Sequence, residues 1–440
     1  MTALNRARKY VIRGTALIVG VLILFWVIMY TFFVIKKEDI RRQLSEEIGN
    51  SVHGEFEVKK IGMNFFNLFP NVSLSMKGVE LKDSAWKVHK HSLLKAKEIY
   101  LRVNPIALLF GNVDISKLRI DDAVINIFED TSGYTNEYLF SPKSSKSKAD
   151  KKGFNLEEIT FKNVRIIRSD QVKNKLYDLS FSKLKCEFKT GSQQVELDIK
   201  LDGTIHSLAF NLAKGSYARE KSIKGNFKAS FIKEKKQLNF ENIKLAIDRH
   251  PFVFSGLFDF SPLKDFRLLI HSNKIQYANA LTMLPEKLTT KLSLYSIQHP
   301  FDLVAEINGK MQFRNLPKVE IKANIPTTIV KTPIGDFTDL SLTANFTNSV
   351  NDTLPYTDEN SSLTFTNVKG NFEAIPITSQ MVTIHNLLNP FLRCDIKAET
   401  DLSSFNQLLS SSTFDFIGGK MTADVSYAGA LKGDTSTTIK

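Results

Sequence analysis

The sequence predicts a mainly β protein whose strands follow an N-terminal transmembrane helix. Three observations lead to this fold class. Apolar residues alternate with polar ones over many short runs, helical spacing occurs only in short interruptions, and residues 14–35 carry no charge. Strict alternation gives each strand one apolar and one polar face, which is typical of antiparallel rather than parallel sheets. With 42% hydrophobic residues and few glycines and prolines, most of the chain is expected to fold.

The composition excludes several classes of protein. Two cysteines cannot build a disulfide scaffold or a four-cysteine zinc site. Lys and Arg total 59 while Asp and Glu total 46, which gives a net charge of +13 and a basic surface. Such a surface suits nucleic acid or an anionic membrane, but the sequence offers no recognition helix, basic-aromatic platform or zinc module. We therefore predict no nucleic-acid partner and expect the basic surface to face anionic headgroups or polysaccharide.

Residues 14–35 are predicted to form the transmembrane helix. These 22 uncharged residues are long enough to cross a hydrocarbon core of about 30 Å. The alternative is a cleaved signal peptide, whose apolar region would be shorter and would end in small residues rather than in Phe-Phe-Val-Ile-Lys-Lys. Residues 1–13 are expected in the cytoplasm and the bulk of the chain outside it. The predicted membrane-interface anchors are Trp26, Tyr30, Arg13, Lys36 and Lys37.

Two segments differ from the strands around them. In residues 37–51, Ile40, Leu44 and Ile48 recur every four positions among charged neighbours, which predicts an amphipathic helix just beyond the membrane. Residues 141–152 contain five lysines and almost no hydrophobic residue, which predicts a flexible basic loop. A first β region is expected over residues 52–140 and a second over residues 153–440.

The alternation of apolar and polar residues is clearest in five short runs, separated by Asn, Gly, Asp and Pro. Together with weaker runs they predict about 20 strands. The five apolar rows are Val195, Leu197, Ile199 and Leu201; Ile243, Leu245 and Ile247; Val319, Ile321, Ala323 and Ile325; Leu340, Leu342, Ala344 and Phe346; and Met421, Ala423, Val425 and Tyr427.

A series of short motifs follows the anchor in a fixed order. They are Gly54-Glu55-Phe56-Glu57-Val58, Ile61-Gly62-Met63, Phe69-Pro70-Asn71-Val72-Ser73-Leu74, Gly78-Val79-Glu80-Leu81-Lys82-Asp83, Ala96, Val103, Leu108-Leu109-Phe110-Gly111, Ile115, Leu118-Arg119-Ile120-Asp121, Ile125, Gly133 and Asn136. In this order behind an anchor, the motifs resemble the N-terminal region of the AsmA family, bacterial envelope proteins anchored in the inner membrane. The resemblance covers residues 1–140 well and the remainder only in general character.

The resemblance implies a long curled β-sheet that projects into the periplasm, and kinship with bridge-like lipid transfer proteins, whose grooves carry acyl chains. The expected fold is therefore an elongated, curled, largely antiparallel β-sheet that forms an apolar groove, with a few short helices. Many members continue through a further C-terminal β region, whereas this sequence ends at Lys440 after a new strand pattern. On that comparison it is either a short member or a truncated one.

An apolar sheet face has to be covered by helices, by a second sheet or by a ligand. The helical patterns in this sequence are too few to cover about 20 strands, and 33 phenylalanines would give a smooth aromatic lining that suits hydrocarbon tails. The alternative is a closed β-sandwich in which the same side chains pack on each other. The candidate lining residues are Phe252, Phe254, Phe258 and Phe260, which would share one strand face, and Leu197, Ile199, Leu245, Ile247 and Ile321.

The sequence contains no nucleophile elbow, no phosphate-binding glycine loop and no His-Glu-x-x-His motif, so we predict neither an enzyme nor a cofactor. His89 and His91 would share a strand face and could hold a metal, but with no third ligand nearby a structural or surface role is favoured over a metal site. Cys186 and Cys394 could form a periplasmic disulfide or remain two buried thiols, and the second is favoured.

Two functional hypotheses remain. The first is a non-enzymatic conduit or chaperone that binds lipid acyl chains, phospholipid foremost, in a periplasmic groove between the inner and outer membranes. The second is an assembly factor that acts on outer-membrane or periplasmic proteins through exposed strand edges. The expected partners are membrane lipids and the inner membrane, with envelope proteins as the alternative.

Overall fold

The computed structural model describes residues 27, 30–42, 54–64, 72–103, 115–140, 156–311, 316–373, 375–404, 406 and 415–431. These residues contain twenty strands and only short helices, which confirms the prediction of a mainly β protein. The chain divides into two compact units. Unit 1 comprises residues 1–172 and 180–188, and unit 2 comprises residues 173–179 and 189–440.

Unit 1 is built on five paired strands. The first four pair in succession as antiparallel neighbours, and the fourth pairs with the fifth in parallel. Its strands are β1 (Glu55–Asn64), β2 (Val72–Lys82), β3 (Leu94–Val103), β4 (Ile115–Glu129) and β5 (Glu158–Asp170), with part of β6 (Lys175–Thr190). Its helices are α1 over residues 30–42, α2 (Trp86–His89) and a 3₁₀ turn (Asn136–Phe140).

Helix α1 packs on the apolar face of the unit 1 sheet. Phe33 and Ile40 are two turns apart and are 6% and 7% exposed. They belong to the same buried cluster as Val58 of β1, Leu74 of β2 and Ile99 of β3. The helix therefore closes part of this face by burying its own apolar stripe.

The predicted boundary between the transmembrane helix (residues 14–35) and the amphipathic helix (residues 37–51) lies at Lys36 and Lys37, and the structure describes residues 27 and 30–42 of this region. Residues 30–42 form one helix through both lysines, because Lys36 points outward and pairs with Asp39 at 3.1 Å without interrupting the backbone. Ile40 is buried as the predicted amphipathic pattern requires. Residues 43–51 lie outside the described part of the chain.

Most of the predicted transmembrane segment also lies outside the described residues. Of residues 14–35, the structure describes 27 and 30–35. Within the part of the chain that is described, no helix has both the length and the apolar character needed to cross a membrane. The basic loop predicted at residues 141–152 is outside the described ranges as well.

Unit 2 is an antiparallel ladder of twelve strands, with two short additional strands on its margins. The ladder runs β7, β9, β10, β11, β12, β14, β15, β16, β17, β18, β19 and β20, while β8 pairs with β7 and β13 with β15. All five of the alternating rows named above lie in strands of this ladder. The prediction that these rows form β-strands is therefore confirmed.

The strands of unit 2 are β7 (Gln194–Asn211), β8 (Gly215–Tyr217), β9 (Lys221–Ile232), β10 (Gln237–Ile247), β11 (His250–Asp259), β12 (Asp265–Ile275), β13 (Ser296–Ile297), β14 (Phe301–Lys310), β15 (Lys318–Thr332), β16 (Gly335–Thr347), β17 (Ser362–Phe372), β18 (Ile375–His385), β19 (Phe391–Asp401) and β20 (Lys420–Ala430). Two helices, α3 (Tyr277–Leu281) and α4 (Glu286–Leu292), connect β12 to the strands that follow, and a 3₁₀ turn (Leu402–Ser404) follows β19.

The packing of α1 predicts that Ile40→Ala destabilises unit 1. Removing a buried isoleucine side chain leaves a cavity, and we expect the free energy of unfolding to fall by about 2–5 kcal/mol. The matched control is Ile35→Ala on the same helix, because Ile35 is 71% exposed. Its effect should stay within about 0.5 kcal/mol.

The measurement is urea unfolding of the detergent-solubilised chain, followed by tryptophan fluorescence, to which Trp86 of unit 1 contributes. Equal effects of the two substitutions would contradict the docking of α1 on the sheet.

Candidate functional site: the apolar face of unit 2

The register between β10 and β11 places most of the predicted phenylalanines on one face. Residues directly opposite each other in an antiparallel pair project to the same side of the sheet. Phe252 lies opposite Leu245, and Phe254 lies opposite Ile243. Phe258 lies opposite Leu238. Since alternate residues of one strand share a face, these side chains form one apolar surface, here called the apolar face of unit 2.

One apolar row crosses nine strands of this face without a break. Each of its members lies directly opposite the next one along the ladder, and none of them is polar or charged. At a strand spacing of about 4.8 Å, the path along this row is about 38 Å. The row consists of Ile243, Phe254, Ile270, Ala305, Ile321, Phe346, Leu363, Ile384 and Leu392.

The apolar face also extends back to β7. Ile247 lies opposite Ile223 of β9. Leu197 and Ile199 lie opposite Ala229 and Phe227 of β9. Eight of the nine predicted lining residues therefore share the apolar face, as the alternation in the sequence predicts: Phe252, Phe254, Phe258, Leu197, Ile199, Leu245, Ile247 and Ile321.

Phe260 is the exception among the predicted lining residues. β11 ends at Asp259, so Phe260 lies in the following turn rather than on the strand. Its side chain is 56% exposed, and its ring centroid is 6.5 Å from that of Phe231 of β9. The Asp259 carboxylate accepts a hydrogen bond from the backbone amide of Ser261. This bond is typical of a turn, and it ends β11 before Phe260, where the alternation in the sequence would have continued the strand.

The opposite face of the ladder is mostly polar. Asp202 lies opposite Lys224 and pairs with it at 3.4 Å, and Lys397 lies opposite Asp424 at 3.9 Å. These exposed pairs contribute little to stability, but they show which face meets water. The two faces of unit 2 therefore differ sharply in chemistry.

Aromatic rings and a glycine make part of the apolar face smooth. The ring of Phe258 stacks between those of Phe240 and Phe266, at centroid distances of 6.0 and 5.8 Å. The ring of Phe240 also lies across Gly256, where an added Cβ would come within 2.5 Å of its Cζ. Glycine is therefore required at position 256 by the close approach of this ring.

Helix α3 and the residues after it cover one part of the apolar face. Phe252, Ile275 and Phe301 are 2–6% exposed there, and Tyr277 and Met283 pack against them. Burial raises the pKa of Tyr277, whose hydroxyl donates a hydrogen bond to the carbonyl of Leu292 at the end of α4. This part of the face is a sealed core.

Much of the remaining apolar face is only half buried. Leu197, Ile199, Phe258 and Ile321 all keep part of their surface in contact with water. At β20 the exposure rises further, to 54% for Val425. Unit 1 differs, since Leu74, Met76, Val79, Leu101 and Val164 are at most 4% exposed. The contrast locates accessible apolar surface in unit 2.

His89 and His91, the predicted metal candidates, do not share a strand face. His89 ends α2, and His91 lies in the turn before β3. The His89 Nδ1 accepts a hydrogen bond from the backbone amide of His91, so its Nε2 carries the proton that is donated to the buried Asp83 carboxylate at 2.9 Å. The Tyr134 hydroxyl donates to the same carboxylate. Both ring nitrogens of His89 serve a structural network, and the described residues contain no metal-binding group of side chains.

The two cysteines are both free thiols in the structure. Cys394 lies on the apolar face, directly opposite Tyr427 of β20, and its burial raises the pKa of the thiol. Cys186 is half buried in β6. Cys394 acts here as a small apolar side chain.

The structure describes three of the five predicted membrane anchors. Arg13 and Trp26 lie outside the described residues. Tyr30 is 58% exposed on α1, while Lys36 and Lys37 are exposed on the same helix. Their assignment to a membrane interface remains a prediction.

Comparison with known proteins identifies a family. Residues 5–253 match the model of the AsmA family, which covers more than half of the chain and reaches from the N-terminal region into β11 of unit 2. No curated protein and no solved structure matches the chain.

Protonation of His250 should destabilise unit 2. His250 lies on the apolar face, and its Nε2 is 2.7 Å from the Oγ of Ser272, which is 1% exposed. Burial lowers the pKa of His250 below its unfolded value near 6.5, so the folded state binds this proton less well than the unfolded state. The contribution of neutral His250 to stability is therefore fully present above a pH near 6.5 and is lost as the pH falls below it.

The test compares urea unfolding of the wild-type chain and His250→Gln between pH 7 and pH 5. Because the glutamine amide keeps a donor for Ser272 but does not titrate in this range, the variant should lose less stability on acidification. Identical pH profiles would contradict the role of His250.

Proposed function

The chain belongs to the AsmA family, and from that premise we propose that the apolar face of unit 2 binds the acyl chains of membrane lipids, phospholipid foremost. The observation that carries the proposal is the uncharged row of nine residues, which runs directly from strand to strand from Ile243 to Leu392. A surface of this kind offers burial without directional bonds. Hydrocarbon is the ligand chemistry that gains most from it.

The driving force is the removal of apolar surface from water. Each methylene group that is fully buried contributes about 0.8 kcal/mol, so a lipid tail against half-buried Phe258 and Ile321 covers both its own surface and theirs. The polar headgroup stays in water because the nine-residue row offers it no polar or charged side chain. Binding of this kind involves no covalent step, so the proposed activity is not enzymatic.

The half-buried state of the face supports an open surface over a closed sandwich. A sandwich would bury Leu197, Ile199 and Phe258 as completely as unit 1 buries Leu74 and Val164. Helix α3 provides that degree of burial around Phe252, and Ile243, Ala305 and Cys394 on the same face are at most 8% exposed, whereas Leu197, Ile199 and Phe258 are not buried to this degree. A curled sheet with this face on its inner side would form the groove that the family resemblance implies.

The proposed location is the bacterial cell envelope. AsmA family membership indicates envelope association. We infer that residues 14–35 anchor the chain in the inner membrane, with residues 1–13 in the cytoplasm and the two β units in the periplasm. There the apolar face would conduct lipid between the inner and outer membranes.

A second candidate function rests on the last described strand. β20 pairs with β19 on one side, and no strand pairs with its other side in the described part of the chain. Val425 and Tyr427 of β20 are 54% and 45% exposed. An open edge of this kind can accept a strand of another protein, as expected for a factor that assists outer-membrane proteins. Crosslinks from β20 to nascent barrel proteins, without co-purified lipid, would favour this function.

Substitutions on β11 test the lipid proposal. Phe258→Asp places a carboxylate on the half-buried face, where it remains hydrated in the absence of lipid, so lipid binding should fall at least about tenfold while Tm falls only modestly through the lost ring stacking. Leu257→Asp is the matched control, because Leu257 is the neighbouring residue on the opposite face and is 37% exposed. It should leave both quantities unchanged.

Phe252→Asp completes the set, since Phe252 is 6% exposed under α3. A buried unpaired charge costs several kcal/mol, so this variant should unfold unit 2. The measurements are Tm and mass spectrometry of lipid that co-purifies after gentle extraction. A Phe258→Asp protein that unfolds like Phe252→Asp would point to a closed core, and one that retains its lipid would remove Phe258 from the binding surface.

The proposed topology is tested by an alkaline phosphatase fusion after residue 152. The enzyme is active only outside the cytoplasm, so the fusion should be active, and the mature protein should keep residues 14–35. An inactive fusion, or a mature N-terminus beyond residue 35, would contradict the proposed topology.

A further inference from the structure

Two of three neighbouring turns at one edge of the unit 2 ladder carry exposed apolar side chains. Phe260 and Leu263 lie in the turn between β11 and β12 and are 56% and 61% exposed. Leu316, before β15, is 51% exposed. Side chains of this size are an unusual choice for turn tips, where small polar residues are common.

Lysines accompany these apolar tips. Lys235 and Lys236 are exposed in the turn between β9 and β10, and Lys264 is exposed beside Leu263. Lys310 is exposed at the end of β14. The exposed acidic residues close to them in sequence are Glu234 and Asp265, so the lysines are in excess. We call Lys235, Lys236, Phe260, Leu263, Lys264 and Leu316 the tip patch.

Backbone hydrogen bonds tie the three turns together. The amide of Phe260 donates to the carbonyl of Lys236 at 2.9 Å, and the amide of Met311 donates to the carbonyl of Lys264 at 2.7 Å. Successive turns at one edge of an antiparallel ladder are two strands apart, which is about 10 Å. The tip patch is therefore one continuous surface.

The tip patch adjoins the apolar face. The ring of Phe260 is 6.5 Å from that of Phe231. Phe231 lies opposite Leu238, which lies opposite Phe258. An apolar path thus leads from the exposed turn tips onto the apolar face.

We propose that the tip patch is a membrane contact, in which Phe260, Leu263 and Leu316 insert among the headgroups of an anionic bilayer. Apolar side chains flanked by lysines are the combination that binds such an interface, because the lysines attract anionic headgroups while the apolar groups leave water. Projecting tips suit a soft lipid surface better than a protein partner, which requires a complementary groove. This contact does not depend on lipid binding by the apolar face.

The experiment uses the full chain held in phosphatidylcholine nanodiscs and mixed with vesicles. Co-flotation is measured with vesicles of phosphatidylcholine alone and with vesicles that also contain phosphatidylglycerol. We expect binding only to the anionic vesicles and a decrease as salt is raised, because salt screens exposed charges. Equal binding to neutral vesicles would overturn the proposal.

Two variants test the residues of the tip patch. Lys236→Gln together with Lys264→Gln should weaken binding about 30-fold, since each lysine near an anionic surface contributes about 1 kcal/mol. Leu263→Ser together with Leu316→Ser should weaken it about tenfold or more through lost apolar insertion. The matched control is Ile334→Ser, because Ile334 is 75% exposed in the turn at the opposite end of β15. An equal loss in this control would overturn the assignment to the tip patch.

A photo-crosslinker at position 263 distinguishes the kind of partner. Lipid adducts in isolated envelopes support the proposal, and protein adducts overturn it. Co-purified lipid is measured on the same proteins. This measurement distinguishes a failure of lipid binding by the apolar face from a failure of membrane contact by the tip patch. The tip variants should keep this lipid, and Phe258→Asp should still bind anionic vesicles.

Discussion

A strand that is apolar on one side and polar on the other has to keep its register with every neighbour, because a shift of one residue would turn all its apolar side chains toward water. In unit 2 this constraint holds through the irregularities of the ladder. Between Phe240 and Ile243 of β10 the register shifts, yet these residues pair with Gly256 and Phe254, which share one face of β11. β10 has one extra residue at this bulge. Asn242 accommodates it by adopting a φ of 50°, and the backbone amide of Asn242 donates a hydrogen bond to the Ser255 hydroxyl.

The two units satisfy the need to cover an apolar face in different ways. Unit 1 brings a helix from an earlier part of the chain, and Phe33 and Ile40 complete its core. In the described part of unit 2, the short helices between β12 and β13 seal the surroundings of Phe252 and Phe301. Local coverage of this kind stabilises the ladder without removing the rest of its apolar face from contact with other molecules.

Period-two alternation was enough to predict the strands of unit 2 and the face that eight of nine lining residues occupy, because a strand's side chains have only two directions available. The ends of elements were harder to predict. Phe260 continues the alternation in the sequence. The Asp259 carboxylate, however, accepts a hydrogen bond from the backbone amide of Ser261 in the following turn, and β11 ends there. Lys36 and Lys37 lie inside the helix of residues 30–42, because long charged side chains on the outer side of a helix do not interrupt it. The role of His89 depends on Tyr134, which is 45 positions away in sequence, so no local pattern could reveal it.

The nearly uniform chemistry of the nine-residue row has a kinetic consequence. A ligand held there by burial alone would meet no charged or polar side chain in the row from β10 to β19, so no polar contact would fix it at one position. Its movement along the row would be one-dimensional diffusion in steps of about 4.8 Å, with no preferred direction. Net flow along such a path would follow the difference in chemical potential between its two ends, and an external source of energy would be needed only to maintain that difference.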